Sequence, residues 1–330
     1  MTRAGGNRRG IPSPRKRIAL LGATGHIARC LIEGFSRAGG YELFLYARLP
    51  DRVRTFLAGI RWTGTAACDN LDGFGRTGSA YDAVINCVGL GDPAKVEAAG
   101  ASIIPLTETY DNMAIEYMAA HQGTRYLYFS SGAAYGTDFT APAGDSTPVG
   151  RDGGHGGPAD DYGAAKRDAE ARHRAKANLS IVDLRIFGFF SRHIDLGAKL
   201  FLCEVLSCVK EGRPLATGPE DIIRDYVHPR DLLSLVSLCL EGEGVNEALD
   251  VYSLTPARKF EILDHFASRY GLEIQVREGG GTPSPTGVKP NYYSTSRRAE
   301  RIGYSPKFTS MDTVVEESEE ILGSAGTRIR

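Results

Sequence analysis

The chain has 330 residues with 39 Lys+Arg against 40 Asp+Glu, so its net charge of −1 gives no overall basic field to gather nucleic acid. Apolar residues make up 42% and charged residues 24%, which excludes a disordered chain. No apolar run approaches the roughly 20 residues of a membrane span, and the length suits one large or two modest domains at about 100–200 residues each.

The charge is uneven. Arg3, Arg8, Arg9, Arg15, Lys16 and Arg17 make the start basic, and removing those six positives leaves residues 18–330 at −7. The first 16 residues also hold Gly5, Gly6, Gly10, Pro12 and Pro14 and lack the apolar stretch of a secretory signal. They are expected to form a disordered basic tail outside the fold. Cys30, Cys68, Cys87, Cys203, Cys208 and Cys239 are scattered without zinc spacing, and the seven histidines show no HExxH. They read as reduced thiols of a cytoplasmic protein with no metal.

Arg17–Leu21 reads as a buried strand. It runs into Gly22-Ala23-Thr24-Gly25-His26-Ile27-Ala28, a GxxGxxA turn opening a helix over about Ile27–Ala38. Gly22 permits the tight turn, Gly25 lets the backbone approach a pyrophosphate, and Ala28 allows close helix–strand packing. The unpaired N–H groups of the helix start suit phosphate. Gly22, Thr24, Gly25, His26 and Ile27 are therefore expected to bind a dinucleotide. The plainer alternative is a small-residue turn without a ligand.

Leu43–Ala47 is a second strand, ending Leu45-Tyr46-Ala47-Arg48. An acid there would accept ribose hydroxyls. Ala47 cannot, whereas Arg48 can pair with a 2′-phosphate, so NADP is favoured over NAD. A third strand ends near Cys68-Asp69, placing Asp69 and Asn70 at the adenine edge. A fourth spans Ala83–Val88, after which Val88 and Gly89 pass the cofactor.

A helix near Tyr110–Ala120 and a fifth strand, Tyr126–Ser131, follow. The strand ends in Phe129-Ser130-Ser131-Gly132-Ala133-Ala134-Tyr135-Gly136, where open parallel sheets place ligands. Gly136–Pro158 is dense in glycine and proline, a loop long enough to form a substrate-side flap. Asp160–Ala177 reads as a long helix containing Tyr162-Gly163-Ala164-Ala165-Lys166. With 15 tyrosines the YxxxK spacing is weak by itself. Its placement carries the argument, because residues i and i+4 share a helix face. A nearby ammonium lowers the phenol pKa from roughly 10 and makes Tyr162 an acid/base for carbinol–carbonyl exchange. Lys166 can also hold ribose hydroxyls.

Ile181–Phe187 is a further buried strand, and the repeated strand–helix alternation argues a parallel sheet covered on both faces. Beyond it helices dominate, at about Leu196–Glu211, Pro229–Glu241, Lys259–Tyr270, Arg297–Ile302 and Met311–Leu322. A short strand near Leu249–Tyr252 is placed to rejoin the sheet. Gly279–Pro290 is a second Gly/Pro stretch.

In order, these motifs resemble the extended short-chain dehydrogenase/reductase family, the NAD-dependent epimerase/dehydratase group, over about Arg17–Tyr304. GATGHIA resembles its cofactor turn, FSSGAAYG its FSSxxxYG segment with Ser131 as the catalytic hydroxyl, and YGAAK its YxxxK helix. Asn112 resembles the asparagine of the central helix that supports the relay. Ile223-Arg224-Asp225-Tyr226-Val227-His228 is similar to an RDYIHV segment whose arginine, here Arg224, touches a nucleotide-sugar diphosphate. Asn291–Ser294 through Ile302–Tyr304 looks like the segment closing the substrate lobe, with Lys289 adding a phosphate contact. Ser131, Gly132 and Phe189 would then line the substrate. The chain departs from the family at three places. Gly132 and Ala133 replace the Asp–Glu pair of the dehydratases, so 4,6-dehydration is not expected. Ala28 replaces a glycine, and Gly188 replaces a substrate-binding asparagine.

The resemblance implies an α/β protein: a Rossmann-type doubly wound parallel sheet over 17–187 and about 221–252, with a smaller, mostly helical C-terminal substrate lobe over about 188–220 and 253–330. It also implies a homodimer through the helices near Asn112 and Tyr162. The favoured expectation is an NADPH-dependent reductase of a nucleotide-linked keto-sugar. The alternatives are a nucleotide-sugar epimerase with tightly held NAD, a reductase of a non-sugar carbonyl, and a non-catalytic dinucleotide sensor. Sensors typically lose the relay tyrosine or lysine, and both are present here.

Overall fold

The computed structural model describes residues 15–76, 78–89, 93–150, 158–242, 244–279 and 289–323. Most of the basic tail, residues 151–157 of the long loop and residues 280–288 of the second Gly/Pro stretch lie outside the described residues. Lys16, expected in the tail, is the first residue of a strand.

In chain order the first half contains β1 (Lys16–Leu21), α1 (His26–Ala38), β2 (Tyr41–Tyr46), α2 (Pro50–Gly59), β3 (Thr65–Asp69), β4 (Ala83–Asn86), α3 (Pro93–Ala99), α4 (Ile103–Ala120), β5 (Arg125–Ser131), α5 (Pro158–Arg174) and β6 (Ser180–Ile186). The second half contains α6 (Phe201–Glu211), β7 (Leu215–Thr217), β8 (Ile223–Arg224), α7 (Pro229–Glu241), β9 (Asn246–Val251), β10 (Ala257–Arg258), α8 (Lys259–Tyr270), β11 (Ile274–Val276), β12 (Asn291–Tyr292) and α9 (Ser310–Leu322). Seven strands form one parallel sheet in the order β3-β2-β1-β4-β5-β6-β9. The order reverses between β1 and β4, the point where doubly wound sheets open a ligand crevice.

Strand periodicity divides the core. Ile18 and Leu20 of β1, with Leu127 and Phe129 of β5, face the layer that includes α1 and α7. Ala19, Leu21, Tyr126 and Tyr128 face the layer with α4 and α5. Successive strand side chains point to opposite faces, so near-continuous apolar strands bury both. A separate cluster, including Phe190, Leu206, Leu263, Phe266 and Val314, holds the lobe formed by α6, α8 and α9.

The structure differs from expectation where the sequence signal was short or ambiguous. In α2 Val53 is the buried residue, so it has little apolar period to read. The helix expected near Tyr110 starts at Ile103 because Pro105 falls in its first turn, where a missing N–H is tolerated. The helix expected from Leu196 starts at Phe201, and Arg298–Ile302 is a 3₁₀ turn. Ile223–Arg224, expected with the cofactor-binding half, pairs instead in a small sheet ordered β10-β8-β12. Strands of two or three residues are too short to show alternation.

Part of the long loop is well anchored. Phe139 O accepts from Asn291 N at 3.0 Å, Ala143 N donates to Tyr293 O at 3.0 Å, and Ala143 O accepts from Thr295 N at 2.7 Å. This described part of the loop therefore closes against β12 and the residues after it. Among the described residues, no helix is long and apolar enough to cross a membrane.

Candidate active site

The phosphate turn is built by backbone proximity. Gly22 has φ +80°, and a Cβ there would lie 3.0 Å from both Cys87 C and Val88 N. Any side chain would push the turn off the end of β4. No side chain caps α1 and no acid occupies its first turn, which leaves the N–H groups of His26, Ile27 and Ala28 for an anion. These features fit a dinucleotide pyrophosphate. The Ile27 side chain itself packs on the main core, so only its backbone remains available to a ligand, and Thr24 is half-buried in the turn.

His26 is committed on one side. Ser191 Oγ accepts from Cys30 Sγ at 2.9 Å and from His193 N at 3.2 Å, and lies 2.6 Å from His26 Nε2. With its acceptor sites occupied, Ser191 spends its own proton on Nε2. His26 is then neutral with the hydrogen on Nδ1, and burial pushes its pKa down to about 3. Phe189 sits 5.0 Å away, ring to ring, between this turn and the lobe.

At the far end of the crevice, Ala47 is buried and Arg48 is exposed. Asp69 Oδ1 accepts from Asn70 N at 2.7 Å, and its carboxylate lies against Gly73. Val88 N donates to Asn86 Oδ1 at 2.9 Å, which fixes the segment beside the cofactor turn.

Ser131, Tyr162 and Lys166, the residues expected to form the relay, approach one another where the end of β5 faces the first half of α5. Ser131 is close enough to Tyr162 for its hydroxyl to favour the phenolate; its Oγ accepts from Ala133 N at 3.2 Å and lies 3.3 Å from Tyr292 Oη. Lys166 Nζ donates to Tyr128 Oη at 3.0 Å and to Phe129 O at 2.8 Å, and lies 5.8 Å from the Tyr162 ring centroid. A Cβ on Gly89 would be 3.7 Å from the same ammonium, so Gly89 borders the space Lys166 faces.

The expected lowering of the tyrosine pKa is not found in this geometry. Burial holds the Tyr162 phenol above its ordinary value, and the Ser131 hydroxyl offsets this only in part. Burial also pushes Lys166 down to about 8, against Asp111, Glu170 and Asp183, which favour its charge.

Asn112 lies apart from these residues. It is exposed on α4, while its neighbour Asp111 faces inward and is fully buried. One residue along a helix turns the side chain by about 100°. Asp111 accepts from Tyr126 Oη at 3.0 Å and from Arg172 Nη2 at 2.9 Å, and lies 2.7 Å from His173 Nε2. Gly132 lies beneath Phe187, whose ring a Cβ there would overlap, so the missing carboxylate pair leaves room for an aromatic.

Two cations, the half-buried Arg224 and the buried Lys289, face the Tyr292 ring. Arg224 Nη1 donates to Ile223 O at 2.8 Å and Lys289 O at 2.5 Å, and its guanidinium lies 5.9 Å from the Tyr292 ring centroid. Lys289 Nζ is 4.8 Å from the same centroid and 5.6 Å from that of Phe139. Burial and the neighbouring Arg224 push Lys289 down to about 8, with Asp160 opposing. Burial likewise lowers Arg224. Two desolvated like charges side by side make a site that an anion would relieve.

Reading the sequence missed Tyr128, Asp111 and Tyr292 as site residues. Tyr126 and Tyr128 carried a signal, two phenols at i and i+2 on one face of the strand that ends in Ser131.

Similarity to known proteins agrees with this geometry. A sequence model of the NAD dependent epimerase/dehydratase family matches residues 18–252. A UDP-glucose 4-epimerase of Corynebacterium glutamicum is 22% identical over 238 residues, covering 65% of this chain and 68% of that protein. Among solved structures, a UDP-N-acetylglucosamine 4-epimerase from Methanobrevibacter ruminantium superposes with TM-score 0.79 at 14% identity, over 95% of this chain and 100% of that one. A UDP-glucose 4-epimerase from Bifidobacterium longum, in complex with NAD+ and UDP, gives 0.72 at 16% identity, over 93% and 98%.

Proposed function

The chain belongs to the NAD-dependent epimerase/dehydratase family, and from that premise we propose that it oxidises or reduces one ring carbon of a nucleotide-sugar. The observation that carries this reading is the convergence on Tyr292 of Ser131, 3.3 Å from its hydroxyl, and of the Arg224 and Lys289 cations, 5.9 and 4.8 Å from its ring, with Tyr162 on the other side of Ser131. An acid/base pair thus adjoins two desolvated cations suited to a diphosphate.

A dinucleotide held in this crevice would supply the hydride chemistry. Gly22, Gly25 and the start of α1 would seat its pyrophosphate, and Lys166 would hold its ribose. Ser131 orients the reacting oxygen. Tyr162 gives that oxygen a proton during reduction and removes one during oxidation. Arg224 and Lys289 hold the diphosphate.

Within this class the NADPH-dependent keto-sugar reductase remains our first reading, because β2 leads to Ala47 and an exposed Arg48 and not to an acid at that position. The second reading is an epimerase with retained NAD, favoured by the epimerases to which the chain is similar. Purification under dialysis tests the two. Stoichiometric NAD that stays bound, with no consumption of added NADPH on any nucleotide-linked keto-sugar, would overturn the reductase.

A further inference from the structure

Tyr128 lies on β5 beneath the relay and is fully buried. An ammonium has three N–H donors. In Lys166 one goes to Tyr128 Oη and one to Phe129 O, at 3.0 and 2.8 Å, and the Tyr128 ring centroid is 4.4 Å from the nitrogen. One N–H is left for the space beside Gly89. A free lysine stem is rich in rotamers, so an ammonium already held would lose less freedom on meeting a cofactor.

The phenol is itself braced from behind. The edge of the His173 ring meets the Tyr128 ring at 5.3 Å and 77°. His173 is clamped between Asp111, 2.7 Å from Nε2, and Asp183, 2.6 Å from Nδ1, all three fully buried. The charged and titratable groups facing Lys166 are Asp111 from α4, Glu170 from α5, Asp183 from β6 and Cys87 after β4. The Tyr162 ring faces it as well.

We propose that Tyr128 is a positioning residue of the relay, fixing the Lys166 ammonium where it serves both the cofactor ribose and the Tyr162 phenolate. The proposal rests on Tyr162 and Lys166 acting as the relay. Phenylalanine at position 128 would keep the ring and its packing but lose the acceptor.

The test is ultraviolet titration of the dinucleotide-bound protein, with Tyr162→Phe subtracted to isolate the Tyr162 phenolate, together with dinucleotide Kd. Tyr128→Phe is expected to raise the Tyr162 midpoint by about 0.5–1 unit and to weaken dinucleotide binding about three- to tenfold, while the protein still melts cooperatively. In a Lys166→Met background the same change is expected to add nothing, because Tyr128 acts through Lys166. An unchanged or lowered midpoint overturns the proposal, as does an upward shift that persists without Lys166. Tyr128→Ile, which suits a strand, gives the same reading if the phenyl variant folds poorly. A wild-type titration with no Tyr162 phenolate near working pH would instead overturn the relay reading, and the role of Tyr128 with it.

Discussion

Gly188 lies against the main-chain carbonyl oxygen of Asp225, so close that a Cβ built on it would overlap that oxygen. Phe189 then bridges to Val227, so the chain leaving β6 runs beside the Arg224–His228 segment with no side chain between. The glycine is a packing requirement at the position where the family resemblance implies a substrate-binding asparagine. Gly188→Asn is expected to lower stability by about 1–3 kcal/mol through overpacking. Nucleotide-sugar affinity should not improve. A denaturant melt together with ligand titration checks both.

Tyr162→Phe should cost about 100- to 10,000-fold in turnover, the usual contribution of a positioned acid/base. Dinucleotide affinity should change little, because the phosphate turn and Lys166 are untouched. Single-turnover hydride transfer, followed by nicotinamide absorbance, measures the first effect and fluorescence titration the second.

Arg224→Ala should raise KM for a nucleotide-sugar about 10- to 100-fold through loss of a charge-assisted contact worth roughly 1.5–3 kcal/mol. Lys289 adds a pH signature. Its pKa of about 8 in the free protein must rise when an anion binds, so the gain is present below pH 8 and fades above it. Nucleoside diphosphate Kd should weaken as pH rises through about 8. That dependence should be absent in Lys289→Met, as isothermal titration would show.

Arg48→Ala should weaken NADPH binding by about tenfold or more and leave NADH nearly unchanged, since only the 2′-phosphate would meet the guanidinium. Equal loss for both dinucleotides, or no loss for either, would remove the reason for preferring NADP.

His173 should make stability pH-dependent. Burial alone would depress the imidazolium, but hydrogen bonds with Asp111 and Asp183 overcome that and push its pKa up to about 9. A folded pKa above the unfolded one means the contribution is fully present below about pH 6.5 and is lost as pH rises through 9. The amount is on the order of 3 kcal/mol. Melting temperature should fall between pH 6.5 and 9 in the wild type, and this slope should flatten in His173→Gln.

Much of the cofactor half is legible in the sequence because its signals are local. The Gly22–Ala28 turn, the apolar strand of Ile18–Leu21 and the i, i+4 pairing of Tyr162 with Lys166 depend on neighbours within a few residues. Pro229–Glu241 and Lys259–Tyr270 coincide with the expected bounds for the same reason, with strong amphipathic periods and clear terminal signals. Asn112 is exposed, apart from Ser131, Tyr162 and Lys166, because one step along a helix decides which side chain faces inward. The choice of Asp111 rests on partners distant in sequence, His173 and Tyr126.

The sequence by itself determined the class of the protein: a parallel sheet, a dinucleotide turn on β1 and a serine–tyrosine–lysine set at the ends of β5 and α5. Only the tertiary structure decided the environment of that set. It placed Tyr292 beside Ser131 across 161 residues of chain. It brought Arg224 and Lys289 together beside Tyr292, and it set the Lys166 ammonium on Tyr128. The physical reason is range. Strand and helix periods record which face a residue shows, but burial and charge pairing depend on which distant segments come to lie against that face.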